Sequence, residues 1–189
     1  MQEPENTPGN SVTSRSVLEF LTVANDFCSF LEKSEDFQKS GILTYLQRVL
    51  PLIYIKASLL PDIQPEDENA IEHYVTEQEW EELFNQLRAK FGDDDIFHYI
   101  DLHEHSHQDP VRASLAETVT DLYQDLKDFV LLYQNPLTPF RENAVAECRR
   151  LFGDRFGFRI VRAHTAIHYL LYQSDTDSPL PEFFPSDEN

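Results

Sequence analysis

The stretch SLAETVTDLYQDLKDFVLLY, Ser114 to Tyr133, constrains the fold more than any other, because Leu115, Val119, Leu122, Leu126, Phe129 and Tyr133 return every three or four residues. At 3.6 residues per turn this spacing gathers them into one stripe, which a helix in water has to bury against a neighbour. The same rhythm runs through Val17, Leu21, Ala24, Cys28 and Leu31, and through Trp80, Phe84, Leu87 and Phe91. Three amphipathic helices are predicted. TEQE, Thr76 to Glu79, is a capping box in front of the second of them. ILTYLQRVLPLIYIKASLLP is apolar on nearly every side and predicts the central, most buried helix, kinked near Arg48 to Pro51 because Pro51 has no N–H to donate. Two more helices, about Arg141 to Leu151 and Phe158 to Gln173, flank FGDRFG. Gly153 and Gly157 there can take the left-handed conformation that ends a helix, and an α-hairpin is expected. No strand-turn-strand pattern is visible, although Ile96 to Leu102 alternates enough for a short extended segment.

The expected fold is all-α: a single-domain bundle of about six helices over residues 16–173, with a long polar loop between the third and fourth. A chain of 189 residues, 41% hydrophobic, supplies the core for one such domain. Residues 1–15 and 174–189 are polar, proline-containing or acidic; they bury too little to offset ordering and are expected as disordered tails. Phe183 and Phe184 in the second tail are expected to dock on this domain or on a partner, docking on the domain being the favoured reading. The start of the chain has no basic and apolar leader, and no run reaches the eighteen apolar residues of a membrane span. A soluble cytoplasmic protein follows, and Cys28 and Cys148 read as buried, reduced thiols.

With 34 acids against 15 Lys and Arg, the net charge of -19 repels polyphosphate backbones, so nucleic acid is not an expected partner, and neither is a membrane. The charge is unevenly placed: Leu60 to Pro139 holds 19 acids and 4 bases, whereas Phe140 to Gln173 holds 3 acids and 6 arginines. Asp121, Asp125 and Asp128 repeat by four and three, one residue ahead of core positions, and form an acidic row about 100° round the helix from the core centre. Arg149, Arg150, Arg155, Arg159 and Arg162 make the only basic island. Guanidinium groups pair bidentately with carboxylate or phosphate, so the island either pairs with that acidic row or forms a pocket for an anion; internal pairing is the favoured reading.

His103, His105 and His107 alternate in YIDLHEHSHQD, and in an extended segment they would face one way, as three imidazole ligands of a zinc ion do. A polar loop is the favoured reading there. His164 shares a stripe with Ile160, Ile167 and Leu171 and reads as a hydrogen-bonded core histidine; His168, one turn on, is its potential partner in a two-histidine ligand set. A di-iron bundle lacks its Glu-x-x-His pairs on facing helices. No phosphate loop, G-x-S-x-G elbow, H-E-x-x-H helix or C-x-x-C pair occurs, and no cofactor is implied.

SLAETVTDLYQDLKDFVLLY followed by AVAECRRLFGDRFGFRIVRAHTAIHYLL resembles a family of uncharacterised, all-helical bacterial proteins classified as a domain of unknown function. VLEFLTVANDFCSFLE and LQRVLPLIYIKASLLP fit the same family, so the resemblance spans Ser16 to Gln173. Phe156-Gly157 stands where the family carries Trp-Gly. The resemblance implies a helical fold and a bacterial origin, and brings no activity, cofactor or catalytic residue. Three functions are weighed: foremost a cytoplasmic interaction or regulatory module with a protein partner, then a metal-dependent or anion-binding enzyme built on the arginine island with its Asp and His neighbours, and last an acidic mimic of nucleic acid.

Overall fold

The computed structural model of the chain describes residues 12–67, 69–101 and 110–172. Its elements are α1 (Arg15–Leu31), α2 (Lys39–Ser58), α3 (Glu77–Phe91), β1 (Ile96–Tyr99), β2 (Val111–Ser114), α4 (Leu115–Gln134), α5 (Thr138–Leu151) and α6 (Gly157–Tyr172), with 3-10 turns at Ser34–Asp36 and Gly92–Asp95. The fold is mainly α-helical, and α4 is its hub. The whole stripe from Leu115 to Tyr133 is buried, and α4 packs against α1, α3, α5 and α6. Phe20 of α1 lies against Phe129 with ring centroids 5.0 Å apart. Burying a side chain of that size contributes about 1.5–3 kcal/mol. Cys28 and Cys148 are both buried free thiols.

The most buried helix is therefore α4, not α2. On α2, Ile42, Leu46, Leu50 and Ile53 turn inward while Leu52, Tyr54 and Ile55 remain exposed, because its only large helical neighbours are α1 and α6. Helix α2 runs through Pro51. Proline gives no N–H to the carbonyl four residues earlier, that of Gln47. The His164 ring takes its place: Nε2 lies 3.1 Å from Gln47 O.

The expected hairpin at FGDRFG does not form. Phe152–Phe156 is a π-helical turn that joins α5 to α6 in one continuous helix, and Gly157 has a right-handed φ of −58°. Its glycine has a different cause from the one expected: Gly157 N–H bonds to Phe152 O across the wide turn, and a Cβ on Gly157 would sit 2.6 Å from that oxygen. The α5 half packs on α4, and the α6 half packs on α2. Among the described residues the positive-φ glycine is Gly92, at 59°, which ends α3. The predicted capping box opens α3, with Thr76 Oγ1 accepting from Glu79 N and Thr76 N donating to Glu79 Oε2.

The described ends of the long loop hold regular structure that the sequence did not imply. β1 and β2 pair antiparallel, Ile96 with Ser114 through to Tyr99 with Val111, so a short hairpin stands where no strand pair was expected. Buried Asp95 fixes its base: it accepts from Ser114 Oγ and from Ala116 N at 2.7 Å, holding β2 against the start of α4. His103, His105 and His107, like Phe183 and Phe184, lie outside the described residues. Val12, ahead of α1, is buried, and its carbonyl accepts from Tyr133 Oη at 2.7 Å.

Candidate functional site

The acidic row on α4 and the arginines of the long helix meet along one seam. Asp125 pairs with Arg155 and Asp121 with Arg159, while Asp121 also accepts from Trp80 Nε1 at 3.0 Å. Asp128 meets no arginine; it accepts from Tyr74 N at 2.8 Å and Val75 N at 3.0 Å and lies 3.1 Å from His73 Nδ1. It thereby anchors the irregular chain in front of α3. Arg162 sits 3.4 Å from Asp101, with its guanidinium 3.8 Å from the Tyr99 ring centroid, a cation–π contact that ties α6 to β1. Arg149 donates to Leu60 O at 2.5 Å, and Arg150 pairs with Glu147 and Asp154. The five arginines of the island are thus divided among separate partners, and two of them, Arg159 and Arg162, line with Arg112 and Asp121 a hollow of about 210 Å³.

The two histidines of α6 meet Gln47 of α2 and not each other's ligand field. His164 takes the backbone carbonyl, and Gln47 Nε2 donates to His168 Nδ1 at 3.2 Å. Among the described residues no group of three His, Cys, Asp or Glu is placed to hold a metal ion.

Beside Asp125 a cavity of about 360 Å³ opens between α4, α5 and the π-helical turn. The turn places Arg155 at its edge, and Glu147 and Cys148 reach it from α5. Burial raises the Asp125 carboxyl to about 6, against the pull of the Arg155 charge and hydrogen bond. The Glu147 carboxyl is held low by its bonds from Arg150. Burial pushes the Cys148 thiol well up, which favours its neutral form in the cavity wall. Glu142 of α5, outside this cavity, was not singled out by sequence, since its partner lies in the irregular segment 60–76: it is buried and accepts from Glu66 N, and the neighbouring Asn143 donates to Asp67 O.

A second feature lies on the far half of the long helix. Phe158, Val161, Tyr169 and Tyr172 recur at helical spacing on α6 and are all exposed, Tyr169 by 55% and Tyr172 by 65%. Between this row and β1 runs an apolar groove of about 560 Å³, walled on one side by the consecutive residues Ile96 to Tyr99 and on the other by Val161, Thr165 and Tyr169. It continues past Val161 into a second hollow bounded by Ile100, Phe152 and Phe158. The sequence signal was present: α6 is apolar on a second face beyond the stripe through Ile160 and Ile167.

Among the described residues no helix is long and apolar enough to cross a membrane. A comparison with curated proteins gives no match. The crystal structure of protein BF1032 from Bacteroides fragilis is similar at 31% identity with a TM-score of 0.78, covering 89% of this chain and 99% of that one. Residues 11–173 match the family described as Domain of unknown function (DUF5063). The helical architecture, the sequence match over most of the chain and the structural likeness agree, and the chain belongs to the DUF5063 family.

Proposed function

We propose that this chain is a cytoplasmic interaction or regulatory module that holds an extended, apolar peptide segment flanked by basic residues. The observation that carries the reading is the groove between β1 and α6. Its strand wall is the outer edge of a two-stranded sheet, which offers backbone donors and acceptors to an added strand, and its helix wall offers exposed apolar and aromatic side chains. Basic flanks are favoured because the chain carries a net charge of -19 and Asp93 borders the groove; Asp94 beside it is paired with Lys39, and Arg162, the arginine in the lining, is held by Asp101 and Tyr99. Complementary charge of this kind speeds encounter, while the apolar wall supplies the lasting contact.

The test is a photocrosslinking residue at Thr165 in the full chain, with a control at Glu117, in bacterial cells. Support is an adduct at 165, absent at 117 and lost with Val161→Asp, that maps to an apolar segment of another protein with basic flanks. Absence of any protein adduct, adducts identical at both positions, or an adduct to a second copy of this chain or to its own C-terminal segment overturns the proposal.

A further inference from the structure

Asp125 differs from its neighbours in the acidic row. Its side chain is only 4% exposed, one oxygen accepts from Arg155, and Oδ2 is buried with no partner. Leaving a buried acceptor unmet costs about 1–3 kcal/mol, more when the group is charged, so a fold retains such a group at a cost that a bound donor would remove. The same residue lines the cavity of about 360 Å³, which falls at the small end of the range of small-molecule sites.

The walls define the ligand's chemistry. Glu72, Asp128 and Glu147 join Asp125 around the cavity, against the two guanidinium groups of Arg150 and Arg155; His73, beside Asp128, also lines it, and Asp121 and Arg159 act on the Asp125 charge from its flank. Both lining arginines are already bound to carboxylates, Arg150 to Glu147 and Asp154 and Arg155 to Asp125. The remaining field is negative, which disfavours an anion. No three ligands gather for a metal ion among the described residues. The rest of the lining includes Phe129, Leu132 and Leu151, an apolar surface that a bare cation leaves unused. A π-helical turn supplies the rim, a local departure from α geometry that often accompanies binding sites.

We propose that this cavity binds a small organic ammonium ion, whose charge is held at the Asp125 carboxylate, with a side-chain shift uncovering Oδ2 to its N–H groups, and whose hydrocarbon body packs on Phe129, Leu132 and Leu151. An ammonium brings three donors and one positive charge, which suits one unpaired acceptor within a surplus of carboxylates. The cation requires the ionised form of Asp125, so its binding is linked to the proton on that carboxyl and weakens in acid.

Benzylamine, benzyl alcohol and benzoate are close in size and differ in charge, which makes them suitable probes. Each is titrated at pH 7.5 into the ¹⁵N-labelled full chain, and amide shifts are followed. Saturable shifts with benzylamine around Asp125, Cys148 and Arg155, without comparable shifts from the alcohol or the acid, are expected. Asp125→Asn is expected to weaken benzylamine about tenfold or more, Glu117→Gln to leave it unchanged, and a change from pH 7.5 to 5 to weaken it about tenfold in the parent chain. If the Asn variant does not fold, Ala144→Leu, which fills the cavity, and the pH series decide. Failure of benzylamine to saturate, equal binding of the alcohol or acid, or binding indifferent to both the variants and pH overturns the proposal.

Discussion

Asp125 is held between two opposing effects: burial favours its neutral form, and the Arg155 guanidinium favours its charged one, with burial prevailing and the carboxyl rising to about 6 from 3.8. For an acid whose folded value lies above its unfolded value, the folded state binds more protons between the two, so stability falls as pH rises through that window. The parent chain is therefore expected to lose stability relative to Asp125→Asn between pH 4 and 6, by ~3 kcal/mol at the upper bound. Urea denaturation of both chains at half-unit pH steps checks this; a constant difference across the window counts against it. The acidic row itself was legible in the sequence, because four-and-three spacing fixes a helix face. Which arginine each aspartate meets was not, since Asp128 turned to the Tyr74 and Val75 amides, a pairing set by an irregular segment with no periodicity to read.

At the scale of elements, the π-helical turn decides how the second half of the chain is arranged. Gly157 closes it by leaving room for Phe152 O, 2.6 Å from where a Cβ would be, whereas Gly153 has open space around that position. Gly157→Ala is expected to destabilise by about 1–3 kcal/mol through overpacking, and Gly153→Ala to stabilise by up to about 1 kcal/mol by restricting the unfolded chain. Thermal or urea midpoints of the two variants should move in opposite directions, and a parallel shift would refute the assignment. Helices α1, α3 and α4 were readable because apolar spacing is a local property. The joint was misread because glycine near a helix end usually signals a left-handed stop, while here it relieves a close approach within an unbroken helix. The β1–β2 pair was hidden for the opposite reason, its strands being four residues each and separated by a long polar stretch.

The molecule as a whole carries a net charge of -19, and among the described residues eight Lys and Arg side chains are already paired with carboxylates, so the remaining surface repels itself. Raising sodium chloride from about 0.01 to 0.5 M is expected to lift the melting temperature by about 2–4 °C, since screening relieves long-range repulsion more than it weakens the half-buried pairs. A fall followed by circular dichroism would mean that the pairs dominate. The all-helical class and its charge asymmetry were visible in the sequence, whereas the groove and the cavity required the tertiary arrangement. Both lie along the same continuous helix, on opposite sides of its wide turn. An i→i+5 turn holds one more residue than an α turn. Excising a single residue there leaves the flanking faces in phase, whereas the same excision elsewhere in the helix swings everything beyond it by about 100°. Natural chains one residue shorter between Leu151 and Gly157 can thus preserve both surfaces, and length variation in this helix should collect at that point.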